Sequence, residues 1–327
     1  MQVKNVTFDW LTTSQRRGLS LYLGNGVGIP DFFTNFSDAG TKSSVNVLEN
    51  SIIASSYNRS NFSGWDLVTQ EASILRERFK DIENIHLFEV AEAIDGAALP
   101  LTLEFFEQGN LSSYTTISSG LLGNKLVLQS LKQLLLEKQQ PISYNHFEVE
   151  CEWRSFEGPV QTVLDTNPNG IPIFMLMNSR LGNSPNPKNL LKNIYDSMPY
   201  GSYLVVVQTL HRHLNEDSVV RDYQGISDRP DCFMGNKEVA DLITQNAKIQ
   251  MKWRESGEFH EAFATIQNQA HVIVEGVEIE AGQEISLFSS KRFILSQIIG
   301  MFESLDFQIV DLVLGYKQPS SLFLLKK

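Results

Sequence analysis

The chain has 327 residues, of which 42% are hydrophobic and 20% charged, and its formal net charge is −11. Length and composition predict a globular protein of two domains, or of one domain with a large insertion, and the negative charge argues against a nucleic-acid partner. We expect a cytoplasmic protein with reduced thiols and no membrane partner, because there is no apolar run of roughly 20 residues, no signal-peptide pattern, and only two cysteines, Cys151 and Cys232.

The first 70 residues are rich in serine, asparagine, glycine and phenylalanine, and they show little hydrophobic periodicity. They contain a glycine-rich run at residues 24–28, which is followed by Pro30 and a polar stretch. A loop of this kind can hold a phosphate when it joins a strand to a helix. No βαβ unit lies close to it in the sequence. The pattern therefore favours a surface turn, with phosphate binding as the alternative.

Helical and strand patterns alternate in the next part of the chain. The predicted helices repeat apolar residues every three or four positions, and the predicted strands are short apolar or alternating runs. The elements are a helix at residues 66–79, a strand at 85–90, a helix ending at Phe106, a strand at 112–117, a helix at 121–136 and a strand at 147–153. This order is typical of an α/β fold with a parallel sheet.

A βαβ unit at residues 171–207 is the clearest structural signal in the chain. Two near-continuous apolar runs, 171–177 and 203–207, flank a helix with an apolar stripe. Such runs are typical of buried parallel strands joined by a crossover helix. Open parallel sheets bind ligands at the carboxyl ends of their strands. Residues 178–183 follow the first of these strands, so this segment is a candidate site.

The alternation stops after Leu210. Residues 211–270 predict a polar loop followed by two helices, at 238–249 and 259–269, and this stretch looks like an insertion. The remaining predicted elements are strands at 271–280 and 284–288, a helix at 291–305, and strands at 307–314 and 321–325. The chain thus returns to α/β order after the insertion.

The histidines do not form a recognisable metal or hydrolase motif. His211 and His213 are spaced like a ligand pair, but no third ligand lies at metal spacing. The other four histidines are scattered, and the Gly-x-Ser-x-Gly sequence around a nucleophilic serine is absent. We therefore expect neither a metal site nor acyl-transfer chemistry.

Five short motifs follow one another along the chain. They are Ile29-Pro30 with Gly40, Tyr57-Asn58-Arg59 with Glu71, Leu181-Gly182-Asn183, Arg221-Asp222-Tyr223 with Gly225, and Gly282-Gln283-Glu284-Ile285 with Ser290. In order and spacing they resemble the motifs of the histidine-specific methyltransferase family, whose best-known member makes trimethylhistidine in the ergothioneine pathway. Members of this family are class I S-adenosylmethionine methyltransferases. The resemblance covers nearly the whole chain.

The resemblance implies an α/β fold of the class I methyltransferase type. We expect a seven-stranded Rossmann-like sheet whose last strand is antiparallel, and a second α+β domain that binds the substrate. Residues 61–210 and 286–327 would form the first domain, and residues 1–60 and 211–285 the second. The implied activity is S-adenosylmethionine-dependent N-methylation of an amino acid or related small amine, by a monomer or a homodimer.

The resemblance also implies roles for residues that would contact the substrate. Tyr57 and Tyr223 would be catalytic, because a phenol beside the acceptor amine can orient it or accept its proton. Asn183 would hold the substrate amino acid, and Ser290 would lie near it. Each residue has an ordinary alternative. Asn183 could be a turn asparagine, Ser290 the N-cap of the helix predicted at residue 291, and the tyrosines packed side chains with hydrated hydroxyls.

The cofactor site would follow the strand predicted at residues 85–90. The resemblance places Glu89, Ala91, Ala93 and Gly96 in the cofactor loop and Ser118 at the end of the next strand. Family members carry glycines in this loop, which let the backbone approach the cofactor, and an aspartate at the second position, which accepts hydrogen bonds from the ribose hydroxyls. Here alanines replace the first two glycines, and Ser118 replaces the aspartate. Glu89 would support the loop, approach the cofactor amine or face water.

Two further departures concern the substrate. Phe288 stands where the family has the glutamate that reads the histidine ring, and Phe36 replaces an early tyrosine; both would line the substrate site. A buried imidazole needs a polar partner, which Phe288 cannot supply. We therefore expect an apolar or aromatic amine as substrate and not histidine. The altered cofactor loop leaves a second hypothesis, a non-methylating protein of the same fold that binds a ligand or a partner.

Overall fold

The computed structural model describes residues 3–29, 65–91, 98–118, 142–149, 155–166, 168–177, 179–211, 234–244, 248–315 and 320–327. The chain divides into two compact units. The first consists of Met1–Val47, Asn183–Pro185 and His213–Lys291, and the second of Leu48–Gly182, Asn186–Arg212 and Arg292–Lys327. Within the described ranges, no helix is both long and apolar enough to cross a membrane.

The described residues form the following elements. The strands are β1 (Lys4–Val6), β2 (Ile85–Ala91), β3 (Leu111–Ser118), β4 (Ser143–Glu148), β5 (Ile171–Leu176), β6 (Tyr203–Thr209), β7 (Gln250–Glu255), β8 (Phe259–Gln267), β9 (Val272–Val274), β10 (Val277–Ile279), β11 (Glu284–Phe293), β12 (Gln308–Leu314) and β13 (Ser320–Lys326). The helices are α1 (Thr13–Gly24), α2 (Trp65–Arg78), α3 (Leu99–Gln108), α4 (Glu157–Thr166), α5 (Arg180–Asn183), α6 (Pro187–Ser197), α7 (Met234–Ile243) and α8 (Leu295–Glu303).

The second unit contains a seven-stranded sheet with the strand order β12-β13-β6-β5-β2-β3-β4. The five strands from β6 to β4 in this order pair in parallel. β13 runs antiparallel to both of its neighbours, β6 and β12. The prediction of a seven-stranded, mostly parallel sheet with an antiparallel last strand is therefore confirmed.

Continuous apolar runs explain why β5 and β6 lie at the centre of this sheet. Every residue of the two strands is buried except the first of each. Helix α6 connects them in the predicted βαβ arrangement. It begins at Pro187, and the side chain of Asn186 caps it by accepting the backbone N–H of Asn189 at 3.1 Å. Its apolar stripe is buried at Leu190, Leu191 and Ile194.

The strand order of the large sheet reverses between β2 and β5. From β2 the chain continues to β3 and β4 on one side, and it then crosses to β5 and β6 on the other side. Ligands of open α/β sheets bind outside the carboxyl ends of the strands at such a reversal. The ends of β2, β3 and β5 are therefore the places at which to look for the site.

The first unit has its own core between two three-stranded sheets and the helices α1 and α7. The sheets have the strand orders β1-β9-β10 and β11-β8-β7. Helix α1 begins with a capping box, in which the side chains of Thr12 and Gln15 each accept the other residue's backbone N–H. Apolar side chains from both sheets and both helices form the core, among them Leu19, Val239, Ile266, Val272 and Leu287.

Several predicted elements differ from the structure. Residues 259–269 were predicted as a helix, but β8 occupies most of this stretch because pairing with β7 outweighs its helix-favouring alanine and glutamate residues. β4 ends before most of the strand predicted at 147–153, since an edge strand needs little apolar sequence. α7 ends at Ile243, six residues early. The short or polar elements α1, α4, β1 and β7 were not predicted.

The helix predicted at residues 291–305 begins four residues late, as α8 at Leu295. Ser290 and Lys291 are buried inside β11, so the interpretation of Ser290 as a helix N-cap is wrong. The polar run at residues 289–292 looked like the start of a helix. It continues the strand because polar partners are present there, such as Glu261, which accepts a hydrogen bond from Ser289.

The glycine-rich run at residues 24–28 forms a turn after a helix and does not join a strand to a helix. It follows the C-terminus of α1, and Gly28 is buried with φ at +95°. A Cβ atom on Gly28 would lie 2.4 Å from the backbone oxygen of Ser286, and the next residue, Ile29, donates its N–H to that same oxygen. Gly28 therefore permits a close approach of two backbones, and the turn interpretation is the one the structure favours.

Gly170→Ala is expected to lower the free energy of unfolding by about 1–3 kcal/mol, the usual cost of overpacking a core. A Cβ atom at Gly170 would lie 2.1 Å from Nε2 of His86. That ring is buried, and its Nδ1 lies 2.7 Å from Oγ of Ser113, so it cannot move aside freely. Urea denaturation measures the change. Gly300→Ala in the exposed middle of α8 is the control, where no atom lies within 4 Å and no loss is expected. Equal losses in both variants would contradict the prediction.

Candidate functional site

Two of the predicted cofactor residues lie side by side at the carboxyl ends of neighbouring strands of the large sheet. β2 ends at Ala91 and β3 ends at Ser118, and these two residues are register partners. Both are buried. The backbone oxygen of Ser118 also accepts the N–H of Val149, 2.9 Å away, just beyond β4. The carboxyl ends of parallel strands are the places at which open α/β sheets bind their ligands.

Glu89 lies two residues before the end of β2 and is buried. Its carboxylate accepts a hydrogen bond from the hydroxyl of Tyr114 on β3. The alternative in which Glu89 faces water is therefore wrong. The hydrogen bond connects the side chains of β2 and β3 within a few residues of the strand ends at Ala91 and Ser118.

The segment after β5 has a strained residue at its start. Ser179 has φ at 58°, a left-handed conformation that residues other than glycine rarely adopt. Its hydroxyl lies 2.7 Å from that of Thr209, and it accepts the backbone N–H of Thr209 at 2.9 Å. The Ser179 N–H donates to Val207 at 3.0 Å. Backbone strain held in place by several hydrogen bonds is a recurrent property of functional sites.

Gly182 and Asn183 end the one-turn helix α5 and are called the Gly-Asn turn below. A buried side chain from β6 holds this turn in place. Oε1 of Gln208 accepts the backbone N–H of Gly182 at 3.0 Å, and its Nε2 donates to the backbone oxygen of Thr209. The next residue is Asn183, whose Oδ1 is buried without a hydrogen-bond partner among the described residues. A buried acceptor without a partner is unfavourable unless a ligand supplies the donor. Asn183 is the residue that the family resemblance assigns to the substrate.

β11 carries the two other predicted substrate residues that the structure describes. Phe288 and Ser290 are both buried. The Phe288 side chain offers no hydrogen-bonding atom, and its backbone oxygen accepts the hydroxyl of Ser286 at 3.3 Å. Tyr57, Tyr223, Phe36, Ala93 and Gly96 lie outside the described residues, and their predicted roles stay predictions.

The first unit also contains a cluster of charged residues that the sequence did not indicate. Glu261 on β8 is 3% exposed. It accepts hydrogen bonds from the Ser289 hydroxyl and from Nε of Arg254, the latter at 2.8 Å, and a second guanidinium nitrogen of Arg254 also donates to it. The Lys291 ammonium lies 4.0 Å from the other carboxylate oxygen. The carboxylate is thus neutralised by nearby cations in a buried position.

Lys291 links this charged cluster to the Gly-Asn turn. It is 8% exposed, and its ammonium donates to the backbone oxygen of Ser184 at 2.9 Å. Ser184 directly follows Asn183. Burial lowers the pKa of Lys291 below its ordinary value of 10.5, and the negative charge of Glu261 opposes this shift. The Lys291 ammonium lies between the Glu261 carboxylate and the Ser184 oxygen, so it restrains the position of that backbone carbonyl.

Sequence reasoning missed Gln208, Glu261 and Lys291. For Gln208 a signal was available, because it is the one amide in the apolar run of β6. Glu261 and Lys291 gave no such signal. Their pairing joins residues 30 positions apart through a sheet in which β8 had been predicted as a helix.

A family model described as histidine-specific, S-adenosylmethionine-dependent methyltransferase matches residues 64–327. No curated protein matches the chain. Solved structures of similar fold include an S-adenosylmethionine-bound amino pentose methyltransferase from Micromonospora echinaspora, with 9% identity and a TM-score of 0.40 over 84% of this chain and 96% of that one. Another is the 1,6-didemethyltoxoflavin-N1-methyltransferase of Burkholderia thailandensis, with 10% identity and a TM-score of 0.40 over 88% and 90% of the two chains. A glycopeptide N-methyltransferase shows 10% identity and a TM-score of 0.38 over 79% and 93%.

Proposed function

Because the chain belongs to the histidine-specific, S-adenosylmethionine-dependent methyltransferase family, we propose that it methylates the nitrogen of an amino acid or related small amine other than histidine. The observation that carries this proposal is Oδ1 of Asn183, a buried acceptor without a hydrogen-bond partner among the described residues. An amine or ammonium group is a donor of the kind that this oxygen lacks.

The described part of the cofactor site is compatible with S-adenosylmethionine. Ala91 and Ser118 would hold it at the ends of β2 and β3, together with Ala93 and Gly96. When bound, S-adenosylmethionine supplies a methyl group already activated on a sulfonium. The Ser118 hydroxyl can form a hydrogen bond with a ribose hydroxyl, whereas an aspartate would accept two. Glu89 is engaged by Tyr114, so we propose that it supports the strand end and does not contact the cofactor amine.

The chain's remaining task is to bind and orient the acceptor. A primary or secondary amine must be neutral to attack, so its proton has to leave before or during transfer. We propose that Asn183 accepts a hydrogen bond from the amine and that Tyr57 and Tyr223 orient it or take its proton. Correct orientation of two reacting groups can supply about 7–11 kcal/mol of a reaction barrier. The hydrogen bonds of Ser179 and Gln208 support this role, since they fix the turn that carries Asn183.

Histidine is excluded from the proposal because Phe288, at the position where the family has the glutamate that reads the histidine ring, supplies no polar partner for that ring. Phe288 is apolar and buried. The buried carboxylate nearest in the same three-stranded sheet, that of Glu261, already accepts hydrogen bonds from Arg254 and Ser289. A carboxylate satisfied in this way gains little from an added imidazole.

Asn183→Ala is expected to raise the KM for the acceptor amine by about tenfold to a hundredfold, because it removes a hydrogen bond to a charged or polar donor worth roughly 1.5–3 kcal/mol. The measurement is methyl transfer to a panel of amino acids and small amines, with mass spectrometry of the products. Thermal stabilisation by S-adenosylmethionine is the internal control. Ligand at about 100 times its dissociation constant adds roughly 2.7 kcal/mol to stability, and this shift should be the same in the variant.

Asn186→Ala provides a matched control, since Asn186 caps α6 three residues further along the chain. It should lower thermal stability slightly and leave the acceptor KM unchanged. The proposal would be wrong if the wild-type protein binds S-adenosylmethionine but methylates no amine of the panel, or if Asn183→Ala and Asn186→Ala behave alike.

A further inference from the structure

We propose that Lys291 is a positioning residue that holds Asn183 in the orientation needed for acceptor binding. The inference rests on the proposed function, and it adds a residue that no family motif identified above includes. Lys291 does not itself need to touch the substrate. It acts through the backbone of the residue that follows Asn183.

The first observation is the hydrogen bond from the Lys291 ammonium to the backbone oxygen of Ser184, at 2.9 Å. Ser184 is fully buried, and so is most of Lys291. A charge-assisted hydrogen bond to a carbonyl is stronger than a neutral one and fixes its direction. The Ser184 carbonyl belongs to the peptide unit between residues 184 and 185, so the bond fixes the backbone one residue after Asn183 and thereby restrains the turn that carries Asn183.

The second observation is the way in which the lysine itself is held. Its ammonium lies 4.0 Å from Oε1 of Glu261 and 5.8 Å from the centre of the Phe259 ring. Glu261 in turn is held by Ser289, two residues before Lys291 on β11, and by Arg254 on β7. The ammonium therefore contacts two residues of β8, and one of these, Glu261, is itself held from β11 and from β7. These contacts restrict the long side chain of Lys291, which therefore makes a fixed connection between β11 and the backbone of Ser184.

The third point is energetic. Buried ion pairs contribute little net stability, because desolvation of both charges offsets their attraction. An apolar residue at position 291 would avoid this cost, yet the strand carries a lysine where its burial lowers the pKa of the ammonium. The geometry therefore points to a role in conformational specificity, and the turn with Asn183 is the element whose conformation the ammonium specifies.

Lys291→Met tests the inference, since methionine keeps the length and apolar stem of the side chain without its charge. We expect the acceptor KM to rise by about tenfold or more, as small misplacements of binding groups often do, with S-adenosylmethionine binding unchanged. Amide hydrogen exchange of residues 180–186 should become faster. Lys291→Arg, which keeps a charged donor, should recover a large part of both properties.

Lys252→Met is the matched control. Lys252 lies on β7 of the same sheet and pairs with Glu284, but both side chains are exposed by 40% or more. It should change neither the acceptor KM nor exchange at residues 180–186. The inference is overturned if Lys291→Met leaves the acceptor KM unchanged, or if it weakens acceptor and S-adenosylmethionine binding equally, as a general loss of stability would.

Failure of the proposed function would be recognised separately. If the wild-type protein methylates no amine, the acceptor panel alone shows this. The hydrogen-exchange comparison needs no substrate, and it still decides whether Lys291 restrains the turn. Unchanged exchange at residues 180–186 in Lys291→Met would overturn the inference on its own.

Discussion

Glu261→Ala is expected to lower the free energy of unfolding by about 3–5 kcal/mol, the usual result of breaking a buried ion pair from one side. Glu261 and Lys291 have side chains that are 4% and 9% exposed. Removal of the carboxylate leaves the Lys291 ammonium buried with no opposite charge at 4.0 Å. The other cation of the cluster, Arg254, is 61% exposed and can be rehydrated. Most of the loss should therefore come from Lys291.

A double-mutant cycle measured by urea denaturation checks this explanation. Adding Lys291→Met to Glu261→Ala removes the buried ammonium that has lost its carboxylate neighbour, so the double variant should be more stable than Glu261→Ala by about 1–3 kcal/mol. Lys252→Met, which breaks the exposed pair with Glu284 and leaves the hydrogen bond from Thr265 to Glu284 in place, is the control and should cost less than about 1 kcal/mol. The explanation fails if the double variant is less stable than Glu261→Ala, because the stability lost in Glu261→Ala then does not arise from the buried Lys291 ammonium.

The pH dependence of stability is an independent test of the effect of the Lys291 charge. Burial lowers the pKa of Lys291 in the folded state below its ordinary value of 10.5. At pH values between the folded-state pKa and the ordinary value of 10.5, the unfolded chain binds a proton that the folded chain has lost. The free energy of unfolding therefore rises with pH across this window. Loss of Glu261 lowers the folded-state pKa further and widens the window. The stability deficit of Glu261→Ala should therefore shrink as the pH approaches 10.5, while Lys252→Met should show no comparable recovery.

The large sheet could be predicted because the sequences of its central strands alone indicate buried strands. β5 and β6 are buried on both faces, and their unbroken apolar runs could be recognised without knowledge of their neighbours. The register of Ala91 with Ser118 follows from the same pattern, since both residues end strands that are almost entirely buried. β4 carries little of this signal, because it lies at the edge of the sheet and mixes polar with partly buried residues.

The first unit was less predictable because its strands depend on distant partners. The sequence of β8 contains alanine, glutamate and glutamine, which favour a helix locally, and only pairing with β7 and β11 makes it a strand. If β8 is taken for a helix, the hydrogen bond between Glu261 and Ser289 cannot be foreseen. Lys291 then looks like an ordinary surface residue at the start of a helix. The charged cluster is thus a property of tertiary pairing. The position of Asn183 shortly after a buried strand could be predicted, because the apolar run of β5 indicated that strand locally.

Free histidine is expected to be a poor substrate, with a kcat/KM about fivefold to a hundredfold below that of the best apolar or aromatic amine. Burying an imidazole without a polar partner costs roughly 1–3 kcal/mol or more. Phe288 is 6% exposed and supplies no such partner. The measurement is a competition between histidine and the best amine of the panel, in one reaction with S-adenosylmethionine, followed by mass spectrometry of both products.

Phe288→Gln sharpens the test, since an amide at this position can hydrogen-bond an imidazole while adding no charge to a buried site. The variant should be less stable than the wild type, because it buries a polar group. A smaller folded fraction lowers the turnover of both competing substrates equally, so the ratio of products is unaffected by it. That ratio should shift towards histidine. Efficient methylation of histidine by the wild-type protein, or a ratio that Phe288→Gln does not change, would show that residue 288 does not determine substrate choice.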